Sequence, residues 1–240
     1  MGAHREVLLS PLLWTLAADE LMYLLNDKGL RTDGFADDLF TLLRGFDPSV
    51  MSDQLQNVCR IIERWCSESD LRVNPDKVNL VIFTRKRDLT GYRRPTLYGK
   101  VIKEKEDMKY LGVNIDKTLT WEKHLEYISN KALGVLFMCK KMIGNKWGLK
   151  PSMMKWMYTT IIRPMTTYAA QVWNRKSSRS TEGRRVTHTK LQKVQRLALL
   201  LITGAMKTTP TDALEAILNI PPLFLIIESE AIIIVQKQVN

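Results

Sequence analysis

The chain predicts an α+β fold in which an antiparallel sheet with packed helices comes first and an almost wholly helical part follows. Three observations carry that expectation. Short apolar runs bounded by turn residues, at 35–43, 77–83, 96–102 and 109–115, are interleaved with helical stripes in the first half. From Trp121 onward apolar residues recur at helical spacing and strand-like runs cease. Elements segregated in this way argue α+β rather than alternating βαβ units, with the boundary near residue 118.

Each element has its own local signal. Ser10-Pro11 opens a helix, with Ser as N-cap and Pro at the first helical position. Its apolar positions Leu13, Leu16, Ala17, Leu24 and Leu25 run to the stop signal Asn26-Asp27-Lys28-Gly29. Phe35-Ala36-Asp37-Asp38 and the apolar run to Leu43 read as a short hairpin, closed by the turn Arg44-Gly45-Phe46-Asp47-Pro48. Residues 49–69 carry Leu55, Val58, Cys59, Ile62, Trp65 and Cys66 on one helical stripe, so both cysteines are expected in the core. Asn74-Pro75-Asp76 breaks that helix, and 77–83 reads as a buried strand. Short strands follow at 96–102 and 109–115. Helices are expected at 121–142, 151–168 (kinked or ended by Pro164), 190–203 and 210–218, and Asn174 to His188 reads as a flexible loop. The greasiest stretch, Leu223 to Val235, is broken by Glu228 and Glu230 and is too short to span a bilayer.

Composition excludes several classes. The 240 residues are 45% hydrophobic and 25% charged, which is globular rather than disordered. Cys59, Cys66 and Cys139 form no C-x-x-C pair, and His4, His124 and His188 are scattered, so no zinc spacing exists. With no signal peptide or myristoylation pattern, an intracellular protein of cytoplasm or nucleus is expected. The net charge of +11 is unevenly placed: Lys131 to Lys207 holds sixteen Lys/Arg and one acid, Glu182. Phe137, Trp147, Trp156, Tyr158, Tyr168 and Trp173 are interleaved with those cations. Such a segment suits a polyanion, with aromatics for packing or for stacking on bases; taken singly, each tryptophan fits a core better.

Asp37-Asp38 is the chemically informative pair. Adjacent carboxylates raise each other's pKa unless a cation lies beside them, and a divalent metal at a hairpin tip supplies one. The same dipeptide is also an ordinary turn or N-cap signal.

Read in order, the motifs Ser10-Pro11-Leu12-Leu13-Trp14, Phe-Ala-Asp-Asp at 35–38, Leu71 to Lys77 (L-R-V-N-P-D-K) and Lys109-Tyr110-Leu111-Gly112-Val113 resemble reverse transcriptases of jockey-like non-LTR retrotransposons. Arg163-Pro164 with Tyr168 and Trp173, and Leu191 to Arg196 with Ile202 to Ala205 and Thr208 to Thr211, extend the resemblance. It implies a partial polymerase palm at 1–118, a helical thumb at 119–173, a flexible basic loop at 174–189 and a helical connection at 190–240. It implies RNA-directed DNA polymerisation, with Asp37 and Asp38 as metal-binding catalytic residues and Lys77 near the departing pyrophosphate; a solvated turn lysine is the plainer reading of Lys77. Leu111 and Gly112 would lie against the primer backbone, and the basic helices, with Lys140, Lys141 and Lys146, against the phosphates of an RNA template–DNA primer duplex. The intact parent would take dNTP and Mg²⁺, or Mn²⁺ in its place. The resemblance departs in three respects: a further upstream aspartate and the fingers fall before the chain begins, and Arg5, Glu6 and Val7 stand where the family has Gln-Gly-Gly. Both ends read as cut from something longer, and the fragment is expected to bind metal weakly or not at all and to be inactive alone.

Overall fold

The computed structural model describes residues 3–144, 148–174 and 181–239. The chain divides into two compact units, Met1–Glu106 and Asp107–Asn240.

The first unit contains α1 (Ala3–Asp27), the hairpin β1 (Arg31–Phe35) and β2 (Asp38–Leu42), α2 (Pro48–Glu68), a 3₁₀ turn (Pro75–Lys77), and a second hairpin of β3 (Thr96–Leu97) and β4 (Lys100–Val101). The helix expected from Ser10 starts at Ala3, so Pro11 stands inside it. A proline there removes one backbone hydrogen bond. α2 obeys its signals: Asp47 caps it by accepting from the backbone N–H groups of Ser49 (2.8 Å) and Val50 (3.3 Å), and Pro48 occupies the first turn. Its stripe packs on α1, burying Leu21, Leu25, Val58, Trp65 and Cys66 with Ala17, Leu30 and Leu43 at the margin. Each fully buried leucine of this kind is worth ~2 kcal/mol of transfer free energy.

Residues 77–83, expected as a buried strand, form no ladder. Only Leu80 makes a bridge, to Glu104, with the Lys105 N–H donating to its carbonyl at 2.8 Å. Val78 and Leu80 still pack on Cys59, Leu97 and Ile102. The apolar pattern was real, but no neighbouring strand supplies hydrogen bonds along the run.

The second unit contains the hairpin β5 (Asp107–Tyr110) and β6 (Val113–Asp116), then α3 (Glu122–Lys141), α4 (Pro151–Met157), a π-helical turn (Tyr158–Ile162), α5 (Arg163–Thr167), α6 (Ala170–Trp173), α7 (Thr181–Thr203), α8 (Thr211–Leu218) and α9 (Leu223–Val239). Its main core gathers Ala132, Leu136 and Cys139 of α3, Met154, Tyr158 and Ile162, and Val194, Ala198, Leu199 and Ile202 of α7. The π turn directly precedes Arg163-Pro164, where the proline has no N–H to continue the α pattern. Burial raises the Tyr158 phenol, whose O–H donates to Gln195 Oε1 (2.5 Å), while Gln195 Nε2 donates to Glu215 Oε1 (2.7 Å).

Two expectations change here. Residues 181–189, read as loop, are the first turns of α7; they contain no proline, and a helix once nucleated adds a bond per residue. The rest of that loop, residues 175–180, lies outside the described residues. α9, within the stretch expected as a helical connection, is helical because Leu223 and Ile227, four apart, are both buried against Leu125, Ile128, Ala170, Trp173 and Leu191. The antiparallel sheet is realised as three separate two-stranded hairpins among the described residues. Residues 96–102 and 109–115, expected as single strands, each fold back at a pair of positive-φ residues, Tyr98-Gly99 and Leu111-Gly112. No described helix is long and apolar enough to cross a membrane.

Candidate active-site hairpin and nucleic-acid interface

The β1–β2 hairpin pairs Arg31 with Leu42, Thr32 with Thr41, Asp33 with Phe40, Gly34 with Leu39 and Phe35 with Asp38. Ala36 and Asp37 therefore form a two-residue tip, and Ala36 takes the left-handed conformation (φ 53°). Side chains alternate, so Thr32, Gly34, Leu39 and Thr41 share one face, and Arg31, Asp33, Phe35, Asp38, Phe40 and Leu42 the other. The first face meets α1: Thr32 is buried, and a Cβ at Gly34 would come within 2.9 Å of Met22 Sδ. Asp38 thus lies on the face turned away from α1, beside Phe35. Phe35 is exposed, because its register with Asp38 puts it on that outer face.

Three contacts fix the hairpin to α1. The Trp14 indole N–H donates to the Ala36 carbonyl at 2.5 Å, bracing the tip. Asn26 Nδ2 donates to the Thr32 carbonyl (3.2 Å) and Asn26 Oδ1 accepts from the Thr32 N–H (2.9 Å). The Thr32 and Thr41 hydroxyls lie 3.3 Å apart across the strands. Sequence reasoning read Asn26 as a helix stop and Trp14 as part of a helix start; that both also clamp the hairpin carries no local signal.

Asp37 and Asp38 are exposed. Among the described residues no group of three or more His, Cys, Asp or Glu side chains gathers into a metal-binding cluster. The donor chemistry of the pair nevertheless fits a hard divalent cation, which Mg²⁺-type sites hold by one or two carboxylates together with substrate phosphates. Lys77 is exposed on a separate element, the 3₁₀ turn, where the Asn74 side chain accepts from the Asp76 N–H at 3.0 Å. Neighbours of Lys77 line an open cleft of about 450 Å³, with the Arg72 guanidinium 5.6 Å above the Tyr98 ring and Lys100 Nζ paired to Asp76 at 2.5 Å.

In the second unit Leu111 (φ 45°) and Gly112 (φ 81°) form the tip of the β5–β6 hairpin. On its flank Lys109 Nζ lies 4.7 Å from the Tyr127 ring centroid and donates to Tyr127 Oη at 3.2 Å, which holds that phenol below its usual pKa. After β6, Asp116 organises the turn into α3. Burial raises its pKa, but hydrogen bonds from Thr118 Oγ1 (2.6 Å), the Thr120 and Trp121 backbone N–H groups (both 2.9 Å) and Thr120 Oγ1 (3.0 Å) outweigh burial and hold the carboxyl at about 2.

Lys140 and Lys141 are exposed in the last turn of α3, where cations also complement the helix dipole. Lys146 and Trp147 lie outside the described residues. The basic segment's other aromatics divide: Tyr158 and Trp173 are core, whereas Phe137, Trp156 and Tyr168 are half or more exposed.

An α+β chain that presents adjacent carboxylates at the end of a hairpin in one unit and carries a strongly basic helical region in the other has parts that suit a nucleic-acid polymerase. Comparison with known proteins names it more closely. Residues 7–115 match the reverse transcriptase (RNA-dependent DNA polymerase) family. The chain is 25% identical over 224 residues to a 115 kDa protein of the type-1 retrotransposable element R1DM of Drosophila melanogaster, which covers 92% of this chain and 21% of that protein. It is 24% identical over 210 residues to the retrovirus-related Pol polyprotein of element R1 of Bradysia coprophila (86% of this chain, 20% of that protein). It is 26% identical over 210 residues to the protein named as a probable RNA-directed DNA polymerase from transposon X-element of Drosophila melanogaster (85% and 22%). The chain is therefore similar to part of the reverse transcriptases of non-LTR retrotransposons, and it spans about a fifth of the length of these relatives. No solved structure matches it. The family works on nucleic acids with divalent metal ions.

Proposed function

We propose that the chain is the C-terminal palm (1–118), thumb (119–173), basic loop (174–189) and connection (190–240) of an RNA-directed DNA polymerase, acting inside the cell and inactive by itself. The observation that carries this reading is the 31–42 hairpin, with Asp37 at its two-residue tip and Asp38 on the face away from α1, inside the family-matched span. Asp37 and Asp38 would hold the divalent ion, Mg²⁺ or Mn²⁺, which when bound stabilises charge on the attacking 3′-oxygen and the leaving pyrophosphate. Lys77 supplies an ammonium group to that pyrophosphate, as proton donor or neutralising charge. Leu111 and Gly112 lie against the primer backbone, and Lys140, Lys141 and Lys146 contact phosphates of the template–primer duplex without reading sequence.

The test is primer extension by the full chain on an RNA template with dNTPs and either ion. No extension is expected; robust template-dependent extension abolished by Asp37→Asn would refute inactivity while supporting the assignment of Asp37. A second reading, a non-catalytic basic nucleic-acid-binding module, is favoured by the charge of the 131–207 segment, sixteen cations against one acid. The two separate on the metal: at constant ionic strength, the polymerase reading expects Mg²⁺ to strengthen binding at a primer 3′ terminus and Asp37→Asn to remove that gain. The module reading expects neither.

A further inference from the structure

Leu111 and Gly112 both take positive φ, and for Leu111 that conformation brings Cβ against its own carbonyl. Beyond the hairpin itself, a neighbouring residue of the same unit ties this tip. The Tyr168 O–H donates to the Leu111 carbonyl at 2.8 Å. The same ring covers Gly112, where a Cβ would stand 3.4 Å from Tyr168 Cε1. Tyr168 is itself held from behind, its carbonyl accepting from the Trp173 indole N–H at 2.8 Å across the left-handed residue Ala169 (φ 55°). Trp173 is buried with Leu125, Ile128 and Ala170. A continuous strut therefore runs from a core indole, through a phenol, to the carbonyl of the hairpin tip. Tyr168 is 52% exposed, so deleting its hydroxyl opens no cavity in the core.

We propose that Tyr168 is a positioning residue for nucleic-acid binding: its phenol holds the 111–112 tip in the shape it presents to a sugar–phosphate backbone. This rests on the reading above that the tip faces the primer. A loose tip must be ordered at the moment of binding, and that cost lowers affinity without removing any charge contact.

The test compares the full-length wild-type chain with Tyr168→Phe, which keeps the ring over Gly112 and removes only the hydroxyl. The probe is a fluorescently labelled RNA–DNA hybrid with a recessed primer, titrated at several salt concentrations, alongside thermal melting. The expected result is a loss of affinity of about 2- to 10-fold, the range of one hydrogen bond, with the salt slope and melting temperature unchanged. Amide exchange at Gly112 and Val113 in the free chain should accelerate in the variant. Equal affinity for variant and wild type would overturn the proposal while leaving the nucleic-acid reading intact. Weaker binding that merely follows a drop in melting temperature would overturn it too, since the role would then be structural. A wild-type chain with no affinity for the hybrid would instead refute the nucleic-acid reading, and this inference with it.

Discussion

His124 shows how far a single side chain departs from its sequence reading. As one of three scattered histidines it excluded a zinc site and suggested nothing more. In the fold it is fully buried, with its ring 6.3 Å from that of Trp173. Nδ1 accepts from the Asn114 N–H at 3.3 Å, and Nε2 has no partner among the described residues. Burial alone pushes its pKa below the ordinary value of 6.5. Since the unfolded chain then binds the proton more readily, the sign follows: stability is full above about pH 6.5 and declines as pH falls below it. Urea unfolding of the wild type at pH 7.5 and 5.5, beside His124→Leu, should show a decline over that interval that is smaller in the variant. An equal decline would assign the sensitivity elsewhere. Residues such as Val58, Trp65 and Cys66 were readable because periodicity reports burial directly. His124 was not, since a histidine interrupts an apolar stripe without saying which side it takes.

At the scale of elements, strong local signals survived and weak ones yielded to tertiary context. The turn at Asp47-Pro48 and the helix start at Pro151 arise within a few residues and were visible in the sequence. The start expected at Ser10-Pro11 was not realised, and the positive-φ tips at Tyr98-Gly99 and Leu111-Gly112 fall inside runs read as strands. The 77–83 run failed because a strand is defined by its neighbour, which no local pattern encodes. The clamp between Asn26 and the hairpin was hidden for the same reason, and it makes a sharp prediction. Asn26→Ala leaves both the N–H and the carbonyl of a buried threonine without their partner, a cost of about 1–3 kcal/mol. Hydrogen exchange should detect it first at the amides of 31–42, while amides within the 107–239 helices stay as protected as in the wild type. Unchanged exchange along 31–42 would show that Trp14 and the Gly34 contact suffice.

At the scale of the molecule, charge is the property that sequence conveys best, because it needs no fold to be counted. The excess between Lys131 and Lys207 predicts salt-dependent binding to an RNA–DNA hybrid. Neutralising Lys140, Lys141 and Lys146 together should flatten the log–log salt slope by about 2–3, at roughly 0.9 per lost phosphate contact. An unaltered slope would remove all three from the interface. The candidate carboxylates were readable as a pair, but their surroundings were not, since the register that sets Asp38 beside an exposed Phe35 emerges only when the strands close. That register has a consequence for how such a chain decays. Asp38 sits on the face of the hairpin turned away from α1, while Asn26, Thr32 and Gly34 do the holding on the other. Chemistry and foldability are inherited on opposite faces of one ribbon. A descendant could erase the first and transmit the second unaltered, so an intact fold in this lineage is no witness to a working enzyme.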